Sequence, residues 1–451
     1  MFHFAGRPKM NDVKKNNVLR EFYGLCRKPK FKKVMKVLLA GRIGGAIHEW
    51  MFGDDLEKLI ELLHKESETR QNEIIRMLEE LMALRTDARK PIIAIGSGYG
   101  EIIVESHDEI TLGNKHTIRL HNLIGGSGLN FALRLMASNN LSLPILPIGN
   151  DKVGRDIRQE VVKAMVRANA PELIKTYVHS DYFLNSSIKT PTSIILTNIS
   201  DRTVFVQELC GAEHFQAQLE NQLDLIDALF DGQPGPIMIG HIQSDSTEGR
   251  STRTIIDRYR NRSLIYTVFG NSQIGHGWEF WDEKDTFKEI DIFQLNFEEA
   301  QRFLSRNGER KSLREILEWF RKRKLTAVLT MRKFGAIGTF KDLDCLFIAY
   351  PLIAADEVAD TTGSGDAFAA GMVSYLRDKK GFDDVDFCKA MQRGRIWASC
   401  ACKSAGGIGK EPGKELDKFM REHPDCERSP VEMRETSHAE EMIKFIDLAH
   451  Q

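Results

Sequence analysis

A late segment, Asp360-Thr361-Thr362-Gly363-Ser364-Gly365-Asp366, carries the strongest chemical signal in the chain. Gly363 and Gly365 allow a tight turn that no side chain obstructs. The apolar, alanine-rich run that follows, Ala367-Phe368-Ala369-Ala370-Gly371, predicts a helix opening near Asp366. The amides of Gly363, Ser364 and Gly365 then sit at a helix N-terminus, where an anion such as phosphate is stabilised. A carboxylate does not belong beside a passively bound phosphate, because it repels it. Asp366 makes sense there if it removes a proton from an attacking hydroxyl while the amides stabilise the group in transfer. A glycine turn with Asp366 merely capping a helix is the structural alternative.

A second segment, Gly125-Gly126-Ser127-Gly128-Leu129-Asn130-Phe131-Ala132, also opens a helical pattern after a β-rich stretch. Gly126 and Gly128 let a polyhydroxylated ligand approach the backbone, and Asn130 offers it both a donor and an acceptor. Glycines before helices are common, so this segment alone decides nothing.

The elements that must position these turns begin at Pro91. Apolar runs at Ile92–Ile95, Ile237–Ile239, Leu264–Val268, Ile292–Leu295 and Ala327–Leu329 read as buried strands. Helical patterns over Arg155–Asn169, Phe297–Arg306 and Leu313–Arg323 separate them. Strands alternating with helices predict an α/β fold of three layers, α/β/α, around a mostly parallel central sheet. The stretches at about 101–120 and 186–207 alternate apolar and polar residues around turn signals. They predict a small antiparallel β lid.

Before Pro91 the texture differs. Residues 1–50 hold twelve Lys/Arg against three Asp/Glu, so 1–53 reads as a basic arm and a solvated extension. Leu56, Ile60, Leu63, Ser67, Arg70, Ile74, Met77, Leu81 and Leu84 recur at alternating steps of four and three. That spacing makes 54–90 a helical extension, either a short coiled coil or amphipathic helix packed on the main unit. A homodimer through residues 56–84 is the prediction. The expected division is therefore arm (1–53), helical segment (54–90), main α/β unit with lid (91–421) and a charged C-terminal tail (422–451).

The whole chain of 451 residues balances 63 Lys+Arg against 64 Asp+Glu, which gives no support to a general nucleic-acid binder. At 42% hydrophobic and 28% charged it is a globular composition, not a disordered or fibrous one. Seven scattered cysteines form no CxxC pair and read as inert thiols of a reducing compartment. No stretch reaches the length of a membrane span, and no signal-peptide pattern opens the chain. A cytoplasmic location follows as the expectation, with neither a nucleic-acid nor a membrane partner.

In this order, the two glycine segments resemble the signature regions of the ribokinase-like family, the phosphofructokinase-B type of sugar and nucleoside kinase. Ile148-Gly149-Asn150-Asp151-Lys152-Val153-Gly154 is similar to that family's G-x-D-x-x-G turn. Asn296-Phe297-Glu298-Glu299 resembles its N-x-x-E motif, and Ala405-Gly406-Gly407 its closing glycine turn. The resemblance spans about Pro91 to Met420. It implies an ATP- and Mg2+-dependent carbohydrate or nucleoside kinase whose lid closes over a small-molecule acceptor. It makes Asp366 the catalytic base, with Gly363, Ser364 and Gly365 as the anion hole. Glu101, Gly126, Gly128 and Asn130 would line the substrate site. Asn296 and Glu299 would organise the Mg2+–phosphate region, while Thr330, Arg332 and Gly335 stand where the family meets the nucleotide. Asp360 and Thr362 lie where many members hold a monovalent cation such as K+.

Four departures bear on specificity. Glu101 stands where the family usually has Asp, Ser127 where ribokinases themselves have Lys, and Arg332 where Thr-x-Gly-x-x-Gly has its first glycine. Arg395 replaces a common small or amide residue near the adenine side. Two other functions remain open. A catalytically reduced sugar- or nucleoside-binding regulator would account for Arg332 and Arg395. A dinucleotide-dependent oxidoreductase would use Gly96-Ser97-Gly98-Tyr99-Gly100, but Glu101 occupies the place of its third glycine.

Overall fold

The computed structural model describes residue 67 and residues 90–106, 115–168, 187–197, 202–207, 212–230, 233–243, 249–283, 285–305, 309–379, 381–404, 412–428 and 430–449. The basic arm, all of the helical segment but Ser67 and Lys90, the predicted dimer seam and the closing turn at 405–407 lie outside the described residues.

From Pro91 the chain runs through β1 (Ile92–Ile95), β2 (Tyr99–Ser106), β3 (Ile118–Gly125) and α1 (Ser127–Ala137). β4 (Ser142–Ile145), α2 (Lys152–Arg167), β5 (Thr192–Thr197), β6 (Arg202–Val206) and α3 (Ala212–Phe230) follow. Next come β7 (Ile237–Ile239), α4 (Arg250–Tyr259), β8 (Ile265–Val268) and two short helices, α5 (Asn271–Ile274) and α6 (Gly277–Asp282). β9 (Ile292–Asn296), α7 (Phe297–Leu304), α8 (Leu313–Lys322), β10 (Ala327–Thr330), β11 (Ala336–Thr339) and β12 (Cys345–Ala349) complete the central region. The chain closes with α9 (Ser364–Leu376), α10 (Asp384–Cys402), α11 (Pro412–Glu422), β13 (Glu432–Glu435) and α12 (Glu440–Ala449).

Nine strands form the central sheet in the order β13-β12-β11-β10-β9-β8-β7-β1-β4. The run from β4 to β10 is parallel, and β11, β12 and β13 extend it antiparallel. Alternate residues of β9 to β12 go to opposite sides. Ile292, Val328, Ala336 and Phe347 join the core that contains α1, α9 and α10. Phe293, Leu295, Leu329, Ile337 and Leu346 join a second, aromatic-rich core with α7, α8 and α12. With both faces covered, a strand needs no polar side, which is why these segments read as continuous apolar runs. The fold is the expected three-layer α/β/α arrangement.

The lid is a separate four-stranded sheet, β3-β2-β5-β6. It departs from an all-antiparallel sheet. β2–β3 and β5–β6 are antiparallel pairs, but β2 and β5 join them side by side in parallel. Residues 126–191, which include α1, β4 and α2, intervene between the two hairpins, so a parallel crossover is available to the chain.

The stretch from 422 onward does more than trail from the core. β13 pairs with β12 along the sheet edge, and Asp447 of α12 accepts a 2.6 Å hydrogen bond from the Leu313 amide. The alternating charges of Glu432, Arg434 and Glu435 belong to an exposed edge strand, where charge discourages further pairing. Asp151 proves structural: it caps α2 through the Gly154 amide (2.8 Å) and holds the Thr190 amide (2.7 Å) just before β5. The five described cysteines are free thiols, and burial pushes Cys400 up to about 11. Among the described residues no helix is long and apolar enough to cross a membrane.

Candidate active site

The two glycine-rich turns open two helices that pack against each other, α1 and α9. Gly126 precedes α1 at φ 103° and Gly363 precedes α9 at φ 68°, backbone conformations that L side chains resist. Neither glycine caps its helix with a side chain, whereas Asp151 caps α2 and Ser312 caps α8. The opening turn of α9 is therefore left without a side-chain acceptor, as an anion site requires. Ser364 is an exception within it: its amide and hydroxyl both turn back to the Thr361 carbonyl, at 3.2 and 2.8 Å. That contact leaves Gly363 and Gly365 as the amides on which the anion hole would draw.

Asp366 is the third residue of α9, recessed but not sealed. Asn130 Nδ2, one turn into α1, donates to its Oδ2 at 2.6 Å. Burial pushes the Asp366 carboxyl above the ordinary range, and the Asn130 amide and Arg134 guanidinium pull it back. Beneath the turn, Gln294 Nε2 donates to the Gly365 carbonyl at 3.0 Å while its Oε1 accepts from Tyr266 Oη at 2.6 Å. Gln294 was not foreseen. Its only sequence signal is one polar residue in the buried run Ile-Phe-Gln-Leu-Asn of β9.

Of the residues expected to line the substrate site, Glu101 is buried in β2 with its carboxylate lying over Gly125, where any side chain would collide with it. Gly128 and Gly96 likewise bring α1 against the loop after β1 at backbone distance. Ser97 Oγ accepts from the Ser127 amide at 3.0 Å, and Ser127 Oγ accepts from the His241 amide at 2.9 Å. The His241 ring bonds Tyr99 Oη at 3.3 Å and Ser272 Oγ at 3.0 Å. Burial pushes His241 down to about 4 and Tyr99 up to about 12, so both are neutral at pH 7. Ser97 and Tyr99 lie in the Gly96–Gly100 turn, but His241 and Ser272 come from distant parts of the chain, which hid this polar wall from the sequence.

The residues expected on the nucleotide side gather at the ends of β9 and β10, where Thr330 is in register with Asn296. Asn296 and Glu299 cap each other: Oδ1 of Asn296 accepts from the Glu299 amide (2.8 Å), and Oε2 of Glu299 accepts from the Asn296 amide (2.9 Å). Burial holds the Glu299 carboxyl up at about 7, with the nearby carboxylates of Asp366 and Glu298 adding to the rise. Arg332 has a left-handed backbone, at φ 47°. Its exposed guanidinium pairs with Glu298 at 2.9 Å. Gly335 is required at φ 86°, where a side chain would strike the Ala349 carbonyl. Arg395 is buried in α10 beside Cys388 and Cys426.

Glu299, paired with Asn296, is the carboxyl that would take part in holding a Mg2+ ion. A carboxyl held up by burial and by neighbouring anions, as Glu299 is, is stabilised by a divalent cation. The monovalent position is less prepared. Asp360 Oδ1 accepts from the Thr362 amide (2.8 Å) and hydroxyl (2.7 Å), an Asx turn that orients both toward each other. Among the described residues no group of three His, Cys, Asp or Glu is placed to hold a metal ion.

The pattern of the pfkB family carbohydrate kinases matches residues 244–413. An ATP-dependent 6-phosphofructokinase of Thermoanaerobacterium thermosaccharolyticum is 22% identical over 260 residues, covering 56% of this chain and 72% of the relative. An uncharacterised sugar kinase of Dictyostelium discoideum is 28% identical over 143 residues, 29% of this chain and 38% of the relative. Among solved structures, ribokinase from Giardia lamblia superposes with a TM-score of 0.55 at 13% identity, covering 74% of this chain and 100% of that one. Arabidopsis thaliana ribokinase, solved with ribose and ATP, does so at 0.52 and 16%, covering 74% and 99%. Residues 244–413 thus carry the pattern of the pfkB carbohydrate kinases, on a fold shared with the ribokinase structures.

Proposed function

We propose that this protein transfers the γ-phosphoryl group of ATP to a hydroxyl of a sugar, a sugar derivative or a nucleoside. The observation that carries the reading is Asp366 in the uncapped first turn of α9, hydrogen-bonded by Asn130 from the companion glycine motif. Asp366 takes the hydroxyl proton as the acceptor oxygen bonds to phosphorus and the bond from phosphorus to the ADP oxygen breaks. The Gly363 and Gly365 amides offset charge on the group in transfer. Glu101 and Asn130 hold the acceptor's hydroxyls, and Gly126 and Gly128 bring the backbone within reach of them. When bound, Mg2+ neutralises phosphate charge, with Glu299 and Asn296 as the residues that would hold it through water. Thr330, Arg332 and Gly335 frame the nucleotide side, and the Asp360–Thr362 turn is the place for a monovalent cation. Closure of the lid would limit transfer to water.

The test is ATP-to-ADP conversion across a panel of neutral sugars, sugar acids, sugar phosphates and nucleosides, with and without K+. Acceptor-dependent ADP release from at least one member is expected. Failure on every class would contradict the reading.

A further inference from the structure

Arg134 lies one helical turn beyond Asn130 on α1, so the two side chains share the face turned to α9. It is only 7% exposed, a placement unfavourable for a charged group unless anions surround it. Three elements close around it. α9 brings Asp366, α10 brings Cys400 and Cys402, and α11 brings Glu415. Asp366 and Glu415 are the carboxyl groups among these, and burial pushes the Cys400 thiol up to about 11. Glu415 also accepts from Ser404 Oγ at 3.1 Å. Asp366 in turn is felt by Glu299, its other close carboxyl.

We propose that Arg134 is a positioning residue for the base: buried one turn along α1 from Asn130, its guanidinium is the cation that, in concert with the Asn130 hydrogen bond, holds the Asp366 carboxylate in place. The proposal rests on the reading of Asp366 as the base and gives that carboxylate a specific source of stabilisation. A buried carboxyl far from any cation holds its proton at neutral pH and cannot accept another. The Asn130 amide offers one hydrogen bond, whereas Arg134 adds a full charge in a medium that screens it poorly. Glu415 shares that charge, so α11 tempers how strongly Arg134 acts on Asp366.

The test is a carbon-13 NMR titration of the full chain labelled at aspartate Cγ, with Asp366→Asn identifying the Asp366 resonance. Arg134→Met should raise the Asp366 midpoint by roughly one pH unit or more, the size of losing an opposite charge at close range. Arg134→Lys should leave it near the wild-type value, and Glu415→Gln should lower it. An unchanged midpoint in folded Arg134→Met overturns the proposal. If that variant does not fold, an unchanged midpoint in Glu415→Gln does so instead. No acceptor or ATP is needed, so the titration stands apart from any failure to find kinase activity.

Discussion

Asn130 Nδ2 and Asp366 Oδ2 lie 2.6 Å apart across 236 residues of sequence, joining the two glycine-rich turns through one charge-assisted hydrogen bond. The bond fixes the carboxylate with respect to α1, the helix whose glycines are proposed to receive the acceptor. Hydrogen bonds to a charged group contribute about 1.5–3 kcal/mol, or roughly ten- to hundredfold in rate. Asn130→Ala should therefore lower kcat/KM for an accepted substrate by that range, as read by coupled ADP assay. A variant as fast as the wild type would show the bond to be incidental.

Gly363 tests the turn itself. At φ 68° an alanine pays about 1–2 kcal/mol for the left-handed conformation. Gly363→Ala should lose that much stability in urea denaturation and lose activity beyond what the stability change explains, because the amides of the turn move with it. Equal stability would mean that the turn relaxes at no cost.

Arg332 separates backbone strain from side-chain contact. Its φ of 47° favours glycine, and both Arg332→Gly and Arg332→Ala remove the exposed pair with Glu298. The glycine variant should be the more stable of the two by about 1 kcal/mol, measured by chemical denaturation. An alanine variant of equal or greater stability would exclude strain at this position.

Glu299 predicts a pH dependence. Its carboxyl keeps its proton up to about 7 in the folded chain, against 4.5 for an ordinary glutamate. Ionisation therefore opposes folding: the contribution is fully present below pH 4.5 and is lost as pH rises through about 7. Glu299→Gln keeps a side chain able to cap Asn296 but cannot ionise. Unfolding free energy should fall from pH 5 to pH 8 more steeply in the wild type than in this variant, and Mg2+ should narrow the gap. Parallel curves would contradict it.

Much of this site is legible in sequence because its parts are local. A glycine at positive φ before an apolar helix, as at Gly126 and Gly363, leaves its mark within ten residues. So do the buried strands, whose apolar runs match β1, β7, β8, β9 and β10 nearly end to end. What escaped is long-range. Gln294, His241 and Arg134 act through partners contributed by other elements, and each reads locally as a polar residue in an apolar stretch. The parallel β2–β5 pairing and the place of β13 in the central sheet depend on which edges meet, which alternation alone does not encode.

The central claim is that Asp366 accepts the acceptor's proton. The most direct measurement compares wild type and Asp366→Asn in parallel for nucleotide affinity and for single-turnover transfer to a substrate from the panel. The account predicts unchanged ATP affinity with transfer slowed roughly 10²–10⁴-fold, the range of a lost general base. Transfer at the wild-type rate in the folded variant would contradict it.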